Sequence, residues 1–84
     1  MEDKYRGMKI ESYAIARDYF GRSFEVEETV PDIASLRELL AIKNPAAASL
    51  LKNTRFAVND EFIDDSFQLN PADHVSIIPP SSGG

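Results

Sequence analysis

The stretch at positions 32–45, DIASLRELLAIKNP, constrains the fold more than any other part of this chain. Ile33, Leu36, Leu39 and Leu40 recur at intervals of three and four, which lines them along one side of an amphipathic helix. Asp32 is placed to cap its start, Lys43 suits the negative end, and Asn44-Pro45 stops it. The flanking segments alternate as strands, so the chain has one substantial helix to lay over the sheet they build. One helix covers one sheet face, which predicts an α+β arrangement with the opposite face uncovered.

The flanking segments supply the strands. Residues 8–16 alternate, with Ile10, Ser12 and Ala14 on one side and Glu11, Tyr13 and Ile15 on the other. Because Glu11 is a poor core residue, the Ile10 side is the expected interior. RDYFGRS reads as a turn, and Phe24 and Val26 point inward from a second strand that completes a hairpin. After the helix, PAAASLLKN adds a short helical turn whose Leu50 and Leu51 close the core edge. Residues 54–59 alternate with Phe56 and Val58 inward, NDEFIDD holds a turn and a short edge strand, and LNPADH leads into a last strand at 75–78. Strand, strand, helix, strand, short strand, strand is the order of a ubiquitin-like β-grasp roll: a mixed sheet of four to five strands with one main helix across one face. Residues 8–78 are expected to form this domain, residues 1–7 a mobile charged extension, and residues 79–84 a flexible tail.

The bulk properties exclude several kinds of function. The 84-residue chain has room for one domain, and no apolar run reaches membrane-spanning length. Its start, MEDKYRGMK, lacks the apolar core of a signal peptide, so the expectation is a cytoplasmic protein. Without cysteine there is no disulfide, thiolate metal site or catalytic thiol, and the single histidine, His74, is read as a solvated residue at a strand start. The remaining residues show no nucleophile–base pair and no phosphate-binding glycine loop, and no metal is expected. A net charge of −5 argues against nucleic acid and anionic membrane, and for a basic protein surface as partner. Asp64-Asp65 and Glu25, Glu27 and Glu28 read as solvated acids, and Arg17 and Lys52 as residues that balance local charge.

The sequence closes on SIIPPSSGG, a strand, two prolines and two glycines in nine residues. That ending, together with FAVNDEFI and LNPADHV before it, resembles the MoaD/ThiS sulfur carriers, and within them the MoaD type that serves as small subunit of molybdopterin synthase. The family carries an AVN strand, an L-x-x-G-D-E-V turn, an apolar strand, two prolines and a terminal Gly-Gly. Upstream, AIARDYFG resembles the family's A-x-x-R-[DE]-x-x-G turn, and VPDIASLRELL its helix start. This chain departs from the pattern at Ala72, where glycine is common, at His74, where glutamate is, and at Ser81, where valine is. Ala72 implies a turn that avoids a positive φ or tolerates one under strain.

The resemblance implies a carrier that is no enzyme on its own and binds no cofactor. The carboxylate of Gly84 would be adenylated by a ubiquitin-activating-like (MoeB-type) adenylyltransferase that uses ATP. A sulfur donor system would convert it to a thiocarboxylate, and the large (MoaE-type) subunit would receive it for transfer to a cyclic pyranopterin precursor. Lacking cysteine, the chain has no thiol on which to carry the sulfur as a persulfide. Gly83 and Gly84 would thread narrow channels, with Pro79 and Pro80 stiffening the stalk that continues through Ser81 and Ser82. Ordering such a tail costs about 5–10 kcal/mol, which a docking surface must help to offset. Strand parity puts Tyr13 and Ile78, with Phe62 nearby, on the face away from the helix as that surface. A thiazole-type carrier, a ubiquitin-like protein modifier and a β-grasp interaction module with an idle tail are the alternatives; the sequence does not distinguish a molybdenum from a tungsten cofactor.

Overall fold

A computed structural model of the chain describes residues 7–80. Strand β1 (Met8–Ser12) leads through a five-residue helix, α1 (Ala16–Phe20), into β2 (Ser23–Val26). The main helix α2 (Ile33–Lys43) follows, then a 3-10 turn (Pro45–Ala47) that continues as α3 (Ala48–Lys52). β3 (Arg55–Val58) and β4 (Glu61–Ile63) form a hairpin, and β5 (His74–Ile78) completes a five-stranded sheet of order β2-β1-β5-β3-β4. β1 and β5 run parallel at its centre and the other neighbours are antiparallel. This mixed sheet with α2 across one face is a β-grasp roll.

The inner face follows from the alternation. Met8, Ile10 and Val26 from the first hairpin, Phe56 and Val58 from β3, and Val75 and Ile77 from β5 are all buried against Ile33, Leu36 and Leu40 of α2 and Leu51 of α3. Each large side chain so buried contributes about 1.5–3 kcal/mol, and together they hold α2 on the sheet. Phe24 is half-buried, its ring stacked 5.7 Å from that of Phe20.

The start of α2 shows why the helix begins where it does. The Ser35 N–H donates to the Asp32 carboxylate at 2.9 Å, the capping contact expected from sequence. The Ile33 and Ala34 N–H groups donate to the carbonyls of Phe67 and Asp65, and Leu36 N–H to that of Asp32. The orphan donors of Ile33, Ala34 and Ser35 are thus satisfied, two of them by the loop after β4, and Leu36 makes the first bond within the helix.

Two elements differ from the sequence reading. β1 stops at Ser12, and RDYFG is largely the helix α1, because Ala14 takes a left-handed φ of 52° and turns the chain before Ala16 buries itself. Five residues are too few for helical periodicity to show. The helix ends at Gly21, whose φ of 78° and ψ of −176° only glycine adopts readily. Ala72, by contrast, has no positive φ: Asp73 closes its turn by accepting from the Asn70 N–H at 2.9 Å and donating its own N–H to the Asn70 carbonyl. Among the described residues no helix is long and apolar enough to cross a membrane.

Candidate functional site

The sheet face opposite α2 can be assembled row by row from the strand register. Ser23, Glu11, Ser76, Ala57 and Phe62 lie in one row across all five strands. In the next row Ile78 lies opposite Arg55, and Tyr13, bonded through its N–H to the Ile77 carbonyl at 3.1 Å, follows Ser12 to the same side. Tyr13 is 38% and Phe62 55% exposed, and Ile78 is half-buried. The structure thus places all three expected docking residues on one face. Between them Ala57 and Ser76 are 5% and 9% exposed, so the centre of the face is a trough floored by small side chains.

Charged residues frame this apolar part. The Arg55 guanidinium stacks 4.3 Å from the Phe62 ring centroid, and that of Arg17 lies 6.0 Å from the Tyr13 ring. Arg17 also donates from Nε to the Ser12 carbonyl at 3.2 Å, so it braces the turn that carries Tyr13 as well as balancing charge. His74 is solvated at the start of β5 as expected, with Nε2 3.1 Å from Glu11 Oε1. A cleft of about 570 Å³ continues past Phe62 along Arg55, Ile63, Asp64, Ser66 and Phe67. There the hydroxyl and N–H of Ser66 hold the Asp64 carboxyl below the usual aspartate range. Arg55, Glu11 and the small floor residues were missed as site residues from sequence, although the register parity that located Tyr13 contains them.

The tail is anchored by the best-held strand of the sheet. β5 is hydrogen-bonded on both sides, by β1 and β3, and the residue after it, Pro79, is buried. Pro80 is exposed. Ser81, Ser82, Gly83 and Gly84 lie outside the described residues. Among the described residues no three His, Cys, Asp or Glu side chains converge as a metal site.

Three solved structures share this architecture. SAMP1 from Haloferax volcanii superposes with a TM-score of 0.75 at 17% identity, covering 92% of this chain and 98% of its own. A putative molybdopterin converting factor subunit 1 from Pyrococcus furiosus gives 0.74 at 19% identity, over 88% and 97% of the two chains. A complex of subunits 1 and 2 of molybdopterin-converting factor from Helicobacter pylori gives 0.65 at 22% identity, over 92% and 97%. At these identities the likeness is one of fold. In sequence, the chain is 40% identical to the molybdopterin synthase sulfur carrier subunit of Chlamydomonas reinhardtii, across 79% of this chain and 93% of that one. The subunit of the same description from Caenorhabditis briggsae is 34% identical, across 79% and 92%. The model of the ThiS family matches residues 11–84, from β1 through the Gly-Gly end, and the chain therefore belongs to that family.

Proposed function

We propose that this protein is the sulfur-carrying small subunit of a molybdopterin synthase. The observation that carries the reading is its 40% and 34% identity to two sulfur carrier subunits of that synthase, over nine-tenths of their length. The geometry supplies a physical account of the role. A carrier must present one activated group to two partners without deforming, and here the tail leaves from the central strand, past a buried proline.

The chemistry proposed is acyl activation. The Gly84 carboxylate attacks the α-phosphate of ATP held by a partner adenylyltransferase, releasing pyrophosphate and leaving an acyl-adenylate. A sulfur donor then displaces AMP to give the thiocarboxylate. Within the large subunit the sulfur passes to the pterin precursor, and water restores the carboxylate. Tyr13, Phe62 and Ile78 provide the apolar contact for that subunit, and Gly83, which has no side chain, fits a narrow channel. The protein contributes the attachment point and its presentation; ATP and the transfer machinery belong to its partners.

Intact-protein mass spectrometry tests this after incubation with the activating enzyme of the same cell, ATP and a sulfur donor. One oxygen at the C-terminus should be replaced by one sulfur. Gly83→Val, or one residue added after Gly84, should abolish cofactor synthesis without changing the fold. Full synthesis with either variant, or no thiocarboxylate from a competent activating enzyme, sinks the reading.

A further inference from the structure

A second feature of the outer face lies at the end away from Ile78. Glu11, Tyr13, Asn59, Asp60, His74 and Ser76 line a cleft of about 210 Å³. That is several times the ~30 Å³ share of one water molecule, and enough for the end of a side chain. Its free polar acceptors are two carboxylates and the Tyr13 phenol, while the Asn59 amide oxygen already accepts from the His74 N–H at 3.4 Å. Ser76, nine-tenths buried on its floor, makes no side-chain hydrogen bond among the described residues. Glu11 uses one oxygen toward His74, and a carboxylate accepts more than one donor. The hairpin turn fixes the other carboxylate, since Asn59 and Asp60 both hold positive φ, 51° and 72°, the arrangement of a two-residue type I′ turn. None of the neighbouring cations lines the cleft: Lys9 lies across from Glu25 and His74 in the strand register, Arg55 covers Phe62, and Arg17 sits beside the Tyr13 ring.

We infer that this cleft receives an arginine side chain of the protein that covers the sheet, and so sets the register of that partner on the apolar patch beside it. A guanidinium fits the lining better than an ammonium. It is planar, less strongly hydrated, forks toward carboxylates and stacks on an aromatic wall such as Tyr13. The chain's net charge of −5 favours a basic partner surface in the encounter. This inference rests on the reading that the large synthase subunit docks on this face, and names the chemistry by which it does so.

The test uses Glu11→Gln with Asp60→Asn, which removes both charges and keeps side-chain shape. Asparagine tolerates the positive φ at position 60. Affinity for the purified large subunit should fall about tenfold or more, with a shallower salt dependence, while Glu27→Gln outside the cleft changes neither. Equal affinity of the double variant and the wild type overturns the inference and leaves the proposed function standing. If the wild type does not bind the large subunit, that function falls, and titration of the labelled wild-type chain with a capped Gly-Arg-Gly peptide decides the inference. Amide shifts confined to the cleft and absent from the double variant sustain it; no such shifts overturn it.

Discussion

Arg37 and Asp65, 28 residues apart, meet in a two-pronged contact, Nη2 to Oδ1 at 2.6 Å and Nε to Oδ2 at 3.2 Å. The same guanidinium donates from Nη1 to the carbonyls of Leu51 and Thr54 and lies 4.9 Å from the centroid of the Phe56 ring. It therefore ties α2 to the end of α3, the start of β3 and the loop that caps α2. Arg37→Ala should cost about 2 kcal/mol, because the carbonyl of buried Thr54 loses its partner. Arg37→Lys should restore only part, lacking the fork. Asp65→Ala should cost less than about 1 kcal/mol, since that carboxylate is half exposed. Urea midpoints of the three variants check the ranking.

Ser12 presents the opposite case. Its hydroxyl is fully buried on the inner face and has no hydrogen-bond partner among the described residues. Ser12→Ala should therefore leave stability unchanged or raise it by up to about 1 kcal/mol, whereas truncation inside a core otherwise destabilises. A lowered urea midpoint would show that the hydroxyl has a partner after all.

Two glycines should resist substitution for different reasons. A Cβ on Gly7 would sit 2.5 Å from the Val26 carbonyl oxygen, both backbone-bound, so Gly7→Ala must shift the edge of the first hairpin. At Gly21 an added Cβ would meet nothing within 4 Å beyond the flanking residues, and the obstacle is the backbone conformation itself. Each substitution should cost about 1–3 kcal/mol. Removing residues 1–6 while keeping Gly7 should cost little, as calorimetry of the truncated protein would show.

Acid should weaken the fold through identifiable carboxylates. Asp32 is held below its ordinary value by the hydroxyl and N–H of Ser35, Asp64 by those of Ser66, and Glu28 chiefly by the Lys43 ammonium at 2.8 Å. A folded-state pKa below the unfolded one means that the unfolded chain binds more protons in between. The stabilisation is complete above about pH 5 and is lost as pH falls through the lowered values. Asp32→Asn with Asp64→Asn keeps the capping geometry without the charge, so urea midpoints between pH 5 and 2.5 should fall less steeply than in the wild type.

Ile78→Lys should reduce affinity for the large synthase subunit at least about tenfold without moving the urea midpoint, because the lysine stem lies along the sheet while its ammonium enters the apolar patch. Ile42→Lys, on the helix side and 72% exposed, should change neither. Undiminished binding by a folded Ile78→Lys protein would remove the patch from the docking surface.

The α+β class, the inward sides of β1, β3 and β5, the limits of α2 and the family were all legible in the order of residues. Each rests on a local rule: alternation sorts a strand's side chains between two faces, and Asp32 caps the turn three residues ahead of it. Tertiary structure alone decided how separate strands combine. Glu11 and Asp60 share a cleft only because β5 lies between β1 and β3, and no period within either segment encodes that adjacency. Asp65 read as a solvated acid until the fold brought Arg37 to it. The helix α1 escaped notice because one turn is too short to show a period, and because Ala14 adopts a backbone angle that an alanine rarely announces. Pro79 looked like the first residue of a tail, yet it is buried, one alternation step beyond the inward-facing Val75 and Ile77 of β5.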